Sequence, residues 1–318
     1  MIWKDITNNS EVWMGLRIEI NEDIKSNFLL ESGNNCRFKL YNNSQPVLWG
    51  TFGSDYWGVW ALINPLDWEL SDMPVAPINA ATVEESKNEE YYWFWSRFFA
   101  KQLGDKNDPY LSKGIWTITI GSSYENRAAN TSEIIYDLDD AYVTENPRWI
   151  DWDIGKNGNI IALKNEPNIE SGRVKWYRKL VRENACPPVL VWYLTCLSAY
   201  IIIDGHARLK AFQTEAIPAK FLILNSIREQ EIKRDPKVQQ NILLGIEQRQ
   251  KHPTKPKMSV DEINKLLISA FDTSPYCYSI TTAKGRRNFE EKWIEEVKAF
   301  SNNTNSSDIE DMINREEH

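Results

Sequence analysis

The stretch that decides the fold is YIIIDGHARLKAF, residues 200–212. An apolar, β-branched run ends abruptly at Asp204-Gly205, and the sequence from Gly205 onward reads as the opening of a helix. The uninterrupted apolar run predicts a strand buried on both faces. A helix that starts directly after such a strand presents unpaired backbone N–H groups. Together with the positive end of the helix dipole, those groups form a small anion site. The residue types suit that chemistry. Gly205 has no Cβ to keep a ligand away from the backbone. Asp204 is expected to cap the helix by accepting from an N–H two or three residues on. Arg208 supplies a planar cation matched to two phosphate oxygens. His206 donates to a phosphate or moves a proton, and Ala207 adds a further backbone N–H. A plain turn is the alternative: Asp-Gly is a common turn pair, and a first-turn Arg is often only solvated.

Working outward, residues 156–225 predict a β-α-β-β-α-β unit. GNIIALKNEP is a strand, and SGRVKWYRKLVREN is an amphipathic helix with Val174, Tyr177 and Val181 on one face. PPVLVWYL and AYIIID are strands, GHARLKAFQTE is a helix and IPAKFLIL the last strand. Residues 1–155 read as a Trp-rich, acidic α+β domain, with VWMGLRIEI, CRFKLY, PVLWGTF, GVWALI and GIWTITIGSS as strands. VEESKNEEYYWFWSRFFAKQLGD reads there as one helix ending at Gly104, its aromatic residues forming core. DLDDAY and WIDWD are read as solvated acidic surface. Residues 226–318 read as a helical C-terminal region: a helix broken at Pro236, a capping box at Ser259 and Glu262, an amphipathic helix NFEEKWIEEVKAF and a frayed polar tail from 301. The fold class expected is therefore α+β.

The chain's 318 residues carry a net charge of −8, unevenly spread. Residues 1–157 hold 13 basic and 24 acidic side chains, residues 158–225 hold 9 and 5, and the remainder 15 and 16. The basic middle suggests an anionic ligand, and the acidic N-terminal part argues against nonspecific nucleic-acid binding. The four cysteines, Cys36, Cys186, Cys196 and Cys277, form no C-x-x-C pair, and three histidines are too few for a plausible zinc site. No structural zinc site is expected, no residue is assigned as a metal ligand, and the thiols read as reduced. No apolar run is long enough to cross a bilayer. MIWKDITNNSEVW is not a signal-peptide pattern, so a cytoplasmic protein without membrane association is expected.

The sequence IIIDGHARLKAF with the following IPAKFLIL resembles the ParB/sulfiredoxin-like superfamily, in the Asp-Gly-His-x-Arg form of its ParB-like nuclease group. The resemblance covers about residues 158–225. It implies a nucleotide or phosphate bound at the turn by Asp204, Gly205, His206, Ala207 and Arg208, with Mg²⁺ and a nucleoside phosphate as cofactors. It also implies hydrolysis or phosphoryl transfer, with His206 or Glu166 as the proton-handling group; Glu166 stands where related free-serine kinases carry a base. His206 replaces the Glu of the CTP-binding Gly-Glu-Arg-Arg motif and the catalytic Cys of sulfiredoxins, which argues against both of those activities. Two other functions remain open. One is a ParB-like DNA-binding or nuclease protein, using the basic helix 173–182 and Arg286-Arg287. The other is a non-catalytic interaction module whose Trp-rich N-terminal domain binds a protein partner.

Overall fold

The structure is a computed structural model that describes residues 1–8, 10–65, 73–120, 142, 146–152, 160–231, 233–271, 276–300 and 306–316. It is α+β, with two sheets. The chain opens with β1 (Ile2–Thr7) and β2 (Trp13–Ile20), followed by a meander of β3 (Phe28–Ser32), β4 (Arg37–Asn42), β5 (Gln45–Phe52) and β6 (Gly58–Ile63). Two helices come next, α1 (Ala80–Ser86) and α2 (Tyr91–Leu103), and then β7 (Gly114–Thr119) and β8 (Arg148–Asp151). The central stretch runs β9 (Ile160–Ile161), α3 (Gly172–Arg182), β10 (Val189–Leu194), β11 (Ala199–Asp204), α4 (His206–Thr214) and β12 (Phe221–Gln230). The last part holds α5 (Pro236–Lys251), α6 (Val260–Phe271), β13 (Tyr276–Ser279), β14 (Lys284–Gly285), α7 (Phe289–Phe300) and α8 (Ser306–Asn314).

By packing the chain divides into two compact units, 1–227 with 279–318, and 228–278. In the first unit one sheet runs β1-β2-β7-β12-β10-β11-β9 and the other β14-β3-β4-β5-β6-β8. The central β-α-β-β-α-β order is as the alternation of apolar runs predicts. β10 lies antiparallel to β11 and parallel to β12, and β11 lies parallel to β9. Boundaries at 155/156 and 225/226 do not match this packing. Ile223 to Ile227 of β12 pair antiparallel with Ile115 to Thr119 of β7, so strands from both sides of residue 155 share one sheet. The segment after 278 also returns to the first unit, because its apolar helix faces have a sheet to cover.

The strand pattern explains that return. In β6, Val59, Ala61 and Ile63 enter the main core with Leu16, Ile18, Trp95 and Phe99. Trp60 and Leu62 point the other way, into a second cluster with Trp293, Val297, Ile309 and Met312. Side chains alternate across a strand, so a strand covered on both faces reads as a continuous apolar run. In β4 the same alternation places Phe38 and Leu40 in the core and sends Arg37 and Lys39 towards α7. Arg37 donates to Glu290 at 2.6 Å, and the Lys39 ammonium donates to both oxygens of Glu296 at 2.7 and 2.9 Å. Within the tail expected to fray from 301, residues 306–314 instead form α8, whose Ile309 and Met312 are buried; Arg315 behind it donates to the Phe52 and Gly53 carbonyls, and 301–305 lie outside the described residues.

Two further differences have local causes. The single helix expected over 83–105 is two, because the Glu90 carboxylate caps α2 from the N–H groups of Tyr92 and Trp93 and closes off α1. Pro236 begins α5, as its missing N–H allows at the first helical position, with Asp235 as the cap. The acidic run DLDDA, 137–141, lies outside the described residues. All four cysteines are free thiols. No helix among the described residues is long and apolar enough to cross a membrane.

Candidate functional site

The chain leaves β11 at Asp204 and enters α4 through Gly205, which sits at φ 112°, ψ 18° in the left-handed region. Glycine alone adopts that conformation without steric cost. The Gly205 carbonyl accepts the Leu209 N–H at 2.8 Å, so the helix starts at once. Asp204 is not its cap: among the described residues no side-chain bond to the first N–H groups of α4 is found. The Asp204 carboxylate instead accepts from the Arg208 guanidinium at 2.5 Å. The reason is geometric. A left-handed residue between strand and helix turns the Asp204 side chain away from the first N–H groups, and Arg208, one helical turn on, lies within its reach.

Arg208 does not face an open site; its side chain is 1% exposed. The guanidinium lies between the rings of Phe99 on α2 and Tyr177 on α3, at 5.8 and 5.7 Å. It also presses on the turn itself: a Cβ on Gly205 would stand 2.8 Å from an Arg208 guanidinium nitrogen. The glycine therefore makes room for Arg208, where the sequence suggests room for a ligand. Burial works against the guanidinium charge, but the Asp204 carboxylate and Tyr177 outweigh it and hold the proton more tightly than usual. Burial likewise pushes the Cys186 thiol, which feels the Arg208 charge, up to about 12.

His206 is also enclosed, at 7% exposure. Burial, with Lys164 and Arg208 as nearby positive charges, brings its imidazole down to about 3, so it is neutral at physiological pH. A group held that far from neutrality is poorly matched to proton transfer. The Tyr142 hydroxyl donates to the His206 carbonyl at 2.7 Å and covers the turn. Glu166 is bonded to Lys210 and is half exposed. The structure thus brings Asp204, Gly205 and Arg208 into one cluster. Glu166 belongs to a surface ion pair, and Ala207 contributes only its place in the first turn. Among the described residues the two carboxylates near the turn, Asp204 and Glu166, each already have a cation of the chain as partner, an arrangement that does not fit Mg²⁺ with a nucleoside phosphate. Among the described residues no group of three or more His, Cys, Asp or Glu is placed to hold a metal ion.

Tyr142, Tyr177 and Phe99 are the residues of this corner that sequence reasoning missed. Only the spacing of Asp204 and Arg208, four residues apart, was a readable signal, since that is the reach of a helical ion pair. Two polar atoms of the corner remain without a partner among the described residues: Arg208 Nε and His206 Nε2.

The basic face of α3 is similarly engaged. Arg178 and Arg182 share the Glu215 carboxylate, Lys175 pairs with Glu170, and Arg173 stacks on Trp176 and Tyr177. Arg286 pairs with Glu31. Comparison with protein-family models, with curated proteins and with solved structures finds no match for this chain.

Proposed function

We propose that this chain is a non-catalytic binding protein built round a ParB/sulfiredoxin-like core, in which the strand-to-helix turn has become a structural pin. One observation carries the reading: the Arg208 guanidinium is enclosed and neutralised by Asp204, within two residues of an imidazole that burial keeps uncharged. Among the described residues of the first unit, the most exposed aromatic pair lies elsewhere, on the β5–β6 connection, where Trp57 is 63% exposed beside an exposed Tyr56. Exposed aromatic anchors of this kind are typical centres of protein–protein contact. The reading also fits the paired state of the basic residues on α3, which leaves little free charge to meet DNA phosphates.

A second reading has its own support. Arg208 Nε and the uncapped start of α4 are donors without a partner among the described residues, and a phosphate could satisfy them if it displaced Asp204 from Arg208. One experiment separates the two. Thermal unfolding is followed with inorganic phosphate, ATP, ADP, CTP and GTP, each with Mg²⁺. A ligand of the native state must raise the transition. The pin predicts no shift with any of them. A shift that saturates with concentration and vanishes in Arg208→Ala would replace this reading with the second.

A further inference from the structure

The second unit carries a face that its own helices leave uncovered. α5 and α6 pack antiparallel: Gln239 near the start of α5 donates to the Ala270 carbonyl near the end of α6, and Gln250 near the end of α5 donates to the Met258 carbonyl. Their seam is narrow, with Ile242 and Ile246 on α5 and Ile263, Leu267 and Ala270 on α6. α5 has no buried residue, and Ala270 is the one buried residue of α6. At 3.6 residues per turn, Val260, Ile268 and Phe271 fall to one side of the α6 seam, and the antiparallel packing puts Leu243 of α5 beside them. Val260 is 72% and Ile268 63% exposed, and Leu243 and Phe271 are exposed too. These four side chains leave roughly 400 Å² of apolar surface, the size of the largest patch on a typical monomer, which is often a functional one. That is about half of the ~800 Å² that each partner of a stable complex buries, the rest falling to the polar rim.

We propose that a second copy of this chain covers this face, two α5–α6 hairpins closing about a two-fold axis into a four-helix bundle with both connecting loops at the same end. That arrangement sets α5 of each copy against α6 of the other, so every neighbour is antiparallel. It also repeats between copies the charge pattern that each hairpin already has. The last turn of α5 is basic, with Arg249 and Lys251, and the first turn of α6 is acidic, with Asp261 and Glu262. The opposite arrangement would bring the basic end of α5 alongside the helix that starts at Pro236, behind Lys233, Arg234 and Lys237. Within the hairpin, the Ser259 N–H and hydroxyl, with the charges of Arg249 and Lys265 behind them, hold the Glu262 carboxyl below its ordinary range.

Sedimentation equilibrium of the full chain at tens of micromolar tests this. The expected mass is twice 37.1 kDa, and the double variant Ile268→Glu/Phe271→Glu sediments at half of that. No tryptophan lies within 228–278, so tryptophan fluorescence of the first unit must stay unchanged in the variant. Because the variant hairpin could unfold for reasons of its own, amide exchange of the wild-type chain supplies a second readout. Protection of α5 and α6 must rise with protein concentration while the first unit's stays constant. A monomeric wild type, a dimer that survives the double variant, or exchange in α5 and α6 that ignores concentration would each overturn the proposal.

Discussion

Replacing Arg208 with alanine separates a structural pin from a ligand clamp. In the pin, the guanidinium neutralises Asp204, fills the space between Phe99 and Tyr177, and lies against the backbone of Gly205. Removing one partner of a buried pair costs about 3–5 kcal/mol, because the remaining charge is left without compensation. Asp204 keeps a quarter of its side chain in water, which pulls the figure towards the lower end. The lost packing between the two rings pulls it back up. At 2–4 °C per kcal/mol for a unit of a few hundred residues, the first unit's thermal transition should fall by about 6–20 °C. Tryptophan fluorescence reads that transition cleanly, since all 14 tryptophans lie outside 228–278. Asp204→Asn should cost a similar amount by stranding the guanidinium. Adding it to Arg208→Met should cost far less than the two single changes together, since contacting residues couple. A clamp residue behaves otherwise: it costs little in stability and much in ligand binding. A loss below about 1 kcal/mol in a folded Arg208→Ala chain would refute the argument.

Three smaller predictions follow from the same contacts. Gly205→Ala places a methyl group against the Arg208 guanidinium at φ 112° and should cost about 1–3 kcal/mol; an unchanged melting temperature would show that the guanidinium does not lie on that turn. His206 is held at about 3 against an ordinary 6.5, so stability is fully present above pH 6.5 and falls as the unfolded chain takes up a proton that the folded one refuses. The slope is at most about 1.4 kcal/mol per pH unit, or about 2–3 kcal/mol down to pH 4.5, and His206→Gln should remove that share from denaturant curves. Glu296→Ala strips the Lys39 ammonium and the Trp49 indole N–H of their acceptor. We expect a loss of about 2–3 kcal/mol, moderated by solvent reaching Glu296, with α7 amides exchanging faster; unchanged exchange would place the hold of α7 elsewhere.

The order of elements in the central core was legible because short apolar runs, an amphipathic helix and turn residues alternate without ambiguity. The turn at Gly205 was legible for the same reason. What Arg208 does was not. Four residues from Asp204, it had the spacing of an ion pair, but its enclosure depends on Phe99 and Tyr177, which lie on helices distant in sequence. Local sequence places a guanidinium at a helix start and is silent on which rings close over it. α8 shows the reverse case. Ile309 and Met312 stand three apart in a polar tail, a helical signal outweighed by the asparagines and serines around them. The break before α2 was hidden because its cap is Glu90, a residue type outside the usual N-cap set. The shared sheet across residue 155 depends on β7 pairing with β12, a long-range choice that no local pattern encodes.

The central claim is that the corner at 204–208 is closed by its own side chains. A crystal structure grown from sulfate or phosphate tests it most directly. The account predicts the Arg208 guanidinium still on Asp204 at hydrogen-bond distance, with no tetrahedral density at the start of α4. An anion bound to the N–H groups of His206 and Ala207, with Arg208 turned from Asp204 to meet it, would contradict the account.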